Sequence, residues 1–334
     1  MKKFSLVVGW SCLILLIVAP IGLKGGETKI SMTLWNRYTA ERSEGKFTKS
    51  AFTLERGYFG VEPTFTDRIK GRFTIDVFSS DKFADGAGLK LKYAYLNFTQ
   101  VLPIPESDIQ VGLLKHYFGT VYDWEYISIR KALEDERKVA SSADYGLALF
   151  GYIPHGFGEY AISILNGEGY NKTGSALDKE PEIAGNLRVI PLPGLTIGGS
   201  ILYENKESDR FAYVGVGRIA RGPFEIWGEY LIQDKSDIKS NGWMIMPILK
   251  LQNLAKLDVD IIGRFDKWDG NTELENDGDM TITCGINWNL VRDEKNKSCV
   301  FLQIQGEKTI FENEAISDIN QLLIQLQWKF SNTI

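Results

Sequence analysis

Beyond residue 27 the chain is built from short segments in which apolar and polar residues alternate with a period of two. In the clearest of them, 256–266, Ile261 and Phe265 fall on an apolar face, and Asp260 and Arg264 fall on the opposite face. This alternation is typical of β-strands whose two faces meet different surroundings. No run of 18 apolar residues follows residue 27, which argues against a membrane-spanning helix. The sequence therefore predicts an all-β fold.

The number and spacing of these segments indicate a closed barrel. They predict about 16 strands. The even-numbered connections are mostly short and the odd-numbered ones long, with the longest at 117–142, and strict alternation of this kind is typical of bacterial outer-membrane barrels. The predicted strands are 28–39, 51–64, 69–79, 88–100, 108–116, 143–152, 157–166, 181–191, 195–205, 210–219, 223–233, 240–251, 256–266, 279–289, 298–306 and 318–330.

The distribution of aromatic and charged residues distinguishes a membrane barrel from a soluble β-sandwich. Aromatic side chains on the apolar faces form two groups, as the girdles of a membrane barrel do. The opposite face carries charges on many strands, and a sandwich core would pay several kcal/mol for each unpaired one. A wide barrel can hold water instead. The aromatic groups are Phe224, Trp288, Trp328 and Phe330 at the short-turn end, and Tyr203, Phe211 and Phe265 at the loop end.

The N-terminal segment resembles an export signal. Lys2 and Lys3 precede an apolar run over 4–19, which Pro20 ends. This order is that of a signal peptide, and the run is shorter than a comfortable membrane span. We predict a signal peptide over 1–26 and a single outer-membrane β-barrel domain over 27–334, in the outer membrane of a Gram-negative-type bacterium. A signal anchor is the alternative.

Composition and chemistry argue against other functional classes. A net charge of −5 disfavours a nucleic-acid partner, which requires a basic patch. The chain has only two histidines, so we expect no enzyme, no cofactor and no metal site. His155 is interpreted as a solvated turn residue, and His116 as part of the pore wall or a plain strand end. The acidic loop 266–279 contains carboxylates suited to Ca²⁺, but their spacing matches no known ligand loop.

The long connection 117–142 is the best candidate for a functional element, because loops of this length in compact domains are usually functional. Its many aromatic residues suggest that it folds into the lumen and narrows it; an extracellular flap is the alternative. Folded inward, its basic residues would meet those of the wall. The predicted pore-lining residues are Arg72, Lys90, Lys92, Arg130, Lys131, Arg188 and Arg264, and the predicted constriction-loop residues are Tyr122, Trp124, Tyr126, Glu134, Asp135 and Glu136.

A series of short motifs resembles the phosphate-selective porin family, porins O and P, over about residues 50–171. The resemblance implies a trimeric, water-filled pore that tolerates anions. Two features depart from the family: His116-Tyr117 replaces an expected proline, and Phe330 is followed by four more residues. The motifs, in order, are Arg56–Val61 with Gly71–Asp76, Leu91–Leu96, Val111–Lys115 with Phe118-Gly119, Asp144–Gly146 and Tyr160–Gly169.

Together these features predict an outer-membrane porin, a passive diffusion channel for small polar solutes that include anions such as phosphate. Its expected partners are membrane lipid, the solutes and two further copies in a homotrimer. Inward basic and acidic residues of the strands are nearly balanced, so strand composition alone predicts little bias. A modest anion preference is predicted because Arg130 and Lys131 would form a basic cluster with Arg72, Lys90 and Lys92, opposed by the acidic residues of the same loop. The alternative is a non-conducting outer-membrane barrel acting as an adhesin, a receptor or a structural protein.

Overall fold

The computed structural model describes residues 26–82, 86–124, 127–172, 174, 177, 180–205, 209–294 and 297–334. They form one closed barrel of sixteen antiparallel strands, as predicted. The strands are β1 Thr28–Ser43, β2 Lys46–Thr66, β3 Ile69–Ser79, β4 Ala87–Thr99, β5 Ser107–Lys115, β6 Ala143–Ile153, β7 Gly158–Leu165, β8 Glu182–Leu192, β9 Leu195–Glu204, β10 Arg210–Arg221, β11 Phe224–Lys235, β12 Ile238–Lys250, β13 Val259–Asp269, β14 Asp279–Arg292, β15 Ser298–Phe311 and β16 Ile319–Thr333.

Each strand pairs with the next in sequence, and β16 pairs with β1 to close the wall. At this seam the backbone N–H of Thr28 donates to the carbonyl of Ile334 at 2.9 Å, and the reverse bond is 3.0 Å. The residues after Phe330, which depart from the family pattern, therefore continue the ladder of β16. Closure pairs the first and last strands, which would otherwise be edges open to aggregation.

The connections differ from the strict alternation that the sequence predicted. The odd-numbered connections β1–β2 and β11–β12 are two-residue turns, at 44–45 and 236–237. The even-numbered connection β12–β13 spans 251–258 and contains a short helix, α2 (Gln252–Ala255). β1 and β2 extend well beyond their predicted ends, because the period-two pattern fades there while the hydrogen-bonded pairing continues to Ser43 and Lys46.

The two faces of the wall confirm the predicted inversion of polarity. The side chain of Ile261 is 43% exposed on the outer surface, whereas Arg264 and Asp266, of opposite parity on the same strand, are fully buried inside. On β16, Phe330 is exposed, while Gln325 and Gln327 are buried. An apolar outside and a polar inside are what a membrane barrel requires, since lipid replaces water as the external solvent.

The inner face is not polar throughout. Over β9–β13 it carries a contiguous set of buried apolar side chains, an arrangement that leaves both faces of these strands apolar. None of the helices in the described ranges is long and apolar enough to cross a membrane. The inward apolar residues are Leu202, Ala212, Val214, Val216, Leu231, Met244, Met246, Ile248, Ile262 and Trp268.

Candidate functional site

The connection between β5 and β6, residues 116–142, folds into the lumen as predicted, and we call it L3. It contains one short helix, α1 (Leu133–Glu136). Phe118, Leu133 and Val139 are fully buried, which is incompatible with an exposed extracellular flap. L3 therefore divides the interior of the barrel.

Polar side chains of the wall hold the backbone of L3 at several points. Asn287 Nδ2 on β14 donates to the carbonyl of Ile127 at 2.8 Å. Arg264 Nη1 on β13 donates to the carbonyl of Lys131 at 2.8 Å. Further anchors are Ser200 with Gly119, Gln305 with Ile129, Arg210 with Val139, and Asp279 with Arg137. Because these bonds connect L3 to many strands, L3 has a defined position across the lumen.

The same side of L3 packs a hydrophobic core against the inner face of β9–β13. Phe118, Val121, Ala132, Leu133, Val139 and Ala140 contribute from the loop, and the inward apolar residues of these strands contribute from the wall. Burial of this apolar surface stabilises the loop by about 25 cal/mol per Å² removed from water. L3 is consequently packed against the wall of β9–β13 by apolar contacts as well as by hydrogen bonds.

A buried carboxylate supports the first turn of L3. Glu134 is fully buried, and its Oε1 accepts a hydrogen bond of 2.7 Å from the backbone N–H of Thr120. The Thr120 hydroxyl donates to Glu229 on β11. Burial, followed by the charge of Glu229, raises the pKa of Glu134 well above its ordinary value. Gly119 has φ +53° and would bring a Cβ onto Glu134, so only glycine fits there.

The free edge of L3 faces the wall of β1, β2, β15 and β16 across a cavity of about 280 Å³, which we call the eyelet. Its loop side consists of Ile129, Arg130, Lys131 and Glu136. The facing wall contributes charged side chains from β1, β2 and β15. The wall residues are Trp35, Arg37, Thr39, Lys49, Glu55, Arg56, Glu307, Gln321 and Leu323.

The charges at the eyelet form a chain of ion pairs. Arg37 Nη1 lies 3.1 Å from Glu55, and Arg130 Nη1 lies 3.5 Å from Glu307. Lys131 Nζ is 3.1 Å from Asp135 on the same turn of L3. Cations and anions are thus interleaved around the eyelet, whose lining contains five basic side chains and three carboxylates.

The predicted pore-lining basic residues separate into four groups. Arg130 and Lys131 line the eyelet. Arg72 lies in a different cavity of about 380 Å³ with Lys29, Glu27 and Lys70 near the β2–β3 turn, and its guanidinium stacks over Tyr93 at 4.2 Å. Arg72 therefore does not meet the loop cations as the sequence suggested.

Arg188 and Arg264 differ from their predicted role. Arg188 is 7% exposed, lies 2.6 Å from Asp123 and donates to the carbonyl of Gly119. Arg264 is fully buried and binds Asp266 and the carbonyl of Lys131. Both guanidinium groups donate to a backbone carbonyl of L3 and so anchor the loop, and Arg188 also lines a cavity of about 300 Å³ together with Asp123 and Glu159.

Lys90 and Lys92 lie on β4 beneath the next long loop, between β7 and β8. Lys90 Nζ is 3.7 Å from Asp76 Oδ2, which also lies 3.4 Å from Arg56 Nη1. Lys92 is only 4% exposed and donates to the hydroxyl of Ser142. The structure therefore brings these lysines close to the eyelet but covers them.

The predicted constriction residues also divide. Asp135 and Glu136 keep partly exposed side chains on the free edge of L3. Tyr122 is 7% exposed and bonds Glu159, and Trp124 packs against the hydrophobic core. Glu134 is an anchor as well. Tyr126 lies outside the described residues. The aromatic content of L3 thus marks its packed side and not its solute-facing edge.

The residue-by-residue prediction missed Arg56 and Tyr170. Arg56 pairs with Asp76 and lines the eyelet from β2. Arg56 pairs with Trp35 of β1, next to a register shift between Trp35 and Asn36. The alternation is interrupted there, so the period-two pattern did not predict whether Arg56 points inward or outward. Tyr170 belongs to the β7–β8 loop, where no periodic pattern exists.

The remaining candidates have structural surroundings. His116 lies 2.8 Å from Glu182 and 3.1 Å from the carbonyl of Ser141, deep at the base of L3. In the turn that follows β7, the N–H groups of Gly167 and Gly169 donate to the carboxylate of Asp144 at 2.7 Å and 3.2 Å. These N–H groups are therefore already bonded to a carboxylate of the protein. Within the described ranges, no three His, Cys, Asp or Glu side chains converge as metal ligands would.

Comparisons with solved structures identify the fold. OprB of Pseudomonas putida has a TM-score of 0.68 at 8% identity, covering 91% of this chain and 94% of that one. OmpT, an outer membrane protein of Vibrio cholerae, solved as a loop L8 deletion mutant, has a TM-score of 0.62 at 10% identity, covering 91% and 99%. The outer membrane protein OpdK of Pseudomonas aeruginosa has a TM-score of 0.54 at 8% identity, with the same coverage as OmpT.

The fold is that of an outer-membrane porin. No protein-family model matches the sequence, and no curated protein matches it. The resemblance to the phosphate-selective porins consequently stays a prediction.

Proposed function

We propose that this protein is an outer-membrane porin, a non-catalytic, water-filled channel through which small polar solutes diffuse down their gradients. The observation that carries the proposal is that the barrel wall is apolar on its outer face and charged on its inner face. Within this barrel, L3 leaves the charged eyelet along one side of the lumen. Lipid suits the outer surface, and water and polar solutes suit the inner one. Export by the N-terminal signal belongs to the same proposal.

Small anions are the proposed preferred solutes, with a modest preference. Arg37, Arg56, Lys49, Arg130 and Lys131 surround the eyelet, against a smaller number of carboxylates. Charges in a narrow, poorly screened space affect permeation more than those in the wide vestibules. A structural neighbour, OpdK of Pseudomonas aeruginosa, has been solved with vanillate. Phosphate and a trimeric assembly remain part of the proposal through the family resemblance.

A non-conducting barrel is the second candidate, and one observation favours it. The hydrophobic core between L3 and β9–β13 lies inside the lumen, where it takes up space that a channel would leave to water. An adhesin, a receptor or a structural barrel would tolerate complete closure, whereas a porin needs the eyelet to stay open.

Single-channel recording in planar lipid bilayers separates the two candidates. A porin gives discrete, ohmic conductance steps after insertion of the purified protein. A properly folded barrel, verified by its β-sheet circular dichroism and resistance to protease, that never conducts would contradict the channel and support the second candidate.

Reversal potentials in a KCl gradient test the anion preference. We expect the wild type to favour chloride modestly and the double variant Arg130→Glu with Lys131→Glu to favour potassium. The control is Lys267→Glu, since Lys267 lies outside the eyelet and is paired with Glu312. A potassium-selective wild type, or a double variant with unchanged selectivity, would show that these loop cations do not set the preference.

A further inference from the structure

The ring of Tyr170 packs over the two wall lysines of β4, Lys90 and Lys92. It belongs to the loop that joins β7 to β8, and its backbone N–H donates to the carbonyl of Ala143 at 3.1 Å. Its ring centroid lies 4.3 Å from Lys92 Nζ and 5.0 Å from Lys90 Nζ. One aromatic ring therefore contacts two ammonium groups.

The lysines under this ring are connected to the eyelet through a shared carboxylate. Lys90 Nζ lies 3.7 Å from Asp76 Oδ2, and the same oxygen lies 3.4 Å from Nη1 of Arg56, which lines the eyelet. Tyr170 itself is half-buried, whereas Lys92 is 4% exposed. The ring is thus more exposed than the ammonium group of Lys92 that it covers.

A cation under an aromatic face is attracted to the ring quadrupole and loses part of its hydration. An anion passing the eyelet cannot approach such an ammonium group closely, and the Coulomb attraction falls with distance. The ring therefore weakens the contribution of both lysines to anion selectivity. Asp76, 3.7 Å from Lys90, weakens it further.

We propose that Tyr170 is a specificity-determining residue, which covers the ammonium groups of Lys90 and Lys92 and so limits the preference of the eyelet for anions. This inference rests on the proposed channel function. It assigns to a loop outside L3 a direct part in selectivity, and it explains how a pore with several wall cations keeps a modest preference.

Reversal potentials of three variants test the proposal. Tyr170→Ala should raise the chloride-to-potassium permeability ratio about twofold, because both ammonium groups lose their aromatic cover and attract passing anions at shorter range. Tyr170→Phe keeps the aromatic face and should behave like the wild type. Tyr203→Ala removes a tyrosine from the outer wall and should change nothing, since Tyr203 is 46% exposed there.

The double variant Tyr170→Ala with Lys92→Met should lose most of the gain, because the gain depends on the uncovered ammonium group. An unchanged ratio in Tyr170→Ala, or a Tyr170→Phe variant that resembles Tyr170→Ala, would overturn the proposal.

An amine-reactive reagent applied to the folded protein in detergent gives a second readout that needs no conductance. Peptide mapping should find Lys92 unmodified in the wild type and modified in Tyr170→Ala. Equal labelling of Lys92 in both proteins would refute the covering role. Absence of conductance in every protein, with the expected difference in labelling, would instead refute the channel and leave the covering role in place.

Discussion

Replacing Glu134 by glutamine should stabilise the folded barrel at neutral and alkaline pH. The carboxylate is fully buried, and its Oε2 has no hydrogen-bond partner within the described chain. Glutamine keeps an oxygen for the N–H of Thr120 and cannot ionise, so the variant avoids the cost of holding a proton next to Glu229 that the unfolded chain would lose. Relief of this cost is expected to be about 1–3 kcal/mol at pH 8.

The pH dependence gives the sign of the effect. Glu134 has a folded-state pKa well above its ordinary value, so the folded protein retains this proton when the unfolded chain has lost it. The stabilisation is complete below the unfolded pKa of about 4.3 and decreases as the pH rises toward the folded pKa. Glu134→Gln should remove this decrease.

Denaturant unfolding in lipid vesicles at pH 5 and pH 8, followed by tryptophan fluorescence, measures the difference. Glu136→Gln is the matched control, because Glu136 is on the same helix, 33% exposed, and pairs with Arg130 at 3.3 Å. It should change the free energy of unfolding by less than about 1 kcal/mol. If Glu134→Gln is less stable than the wild type at pH 8, or shows the same pH dependence, the buried-charge interpretation is wrong.

Three further substitutions test the wall and the anchors of L3. Ile261→Arg should cost roughly 2–4 kcal/mol, because it places a charge against lipid, and the inward-facing Asp260→Arg should cost much less; equal losses of folded barrel would refute the assignment of faces. Gly119→Ala should lower the free energy of unfolding by about 1–3 kcal/mol, because the backbone there is left-handed and the methyl group meets a carboxylate; an unchanged unfolding midpoint would contradict that close contact. His116→Gln should cost about 1–3 kcal/mol by breaking the buried contact with Glu182, and His155→Gln, in an exposed turn, should be neutral; matching midpoints for the two would exclude an anchoring role for His116.

The sequence predicted the wall well because a strand between lipid and water has two chemically distinct faces. Ile261 points outward and Asp260 inward, as this rule predicts. The observed bounds of β3, β6 and β14 are also close to the predicted ones. The inward location of L3 was also predictable, from its length and its aromatic residues. Local patterns of this kind depend only on neighbouring residues.

The roles within L3 were not predictable, because they depend on contacts between distant parts of the chain. Arg264 and Arg130 were both predicted to line the pore. Arg264 is fully buried beneath L3, however, whereas Arg130 faces the eyelet. A usable signal existed in β11–β13, where Leu231, Met244 and Ile262 break the polar inner face. Those inward apolar residues marked the surface on which L3 packs.

The hydrophobic core inside the lumen has a consequence for assembly of the barrel. Fifteen of the sixteen strand pairings join consecutive strands, so the wall can grow one hairpin at a time with short loop closures. L3 leaves the wall after β5, yet its backbone is bonded to Gln305 on β15, 176 residues from Ile129. Those bonds require β15 to face L3 across the lumen, as it does in the closed barrel. L3 thus connects strands that are far apart in sequence across the interior of the barrel.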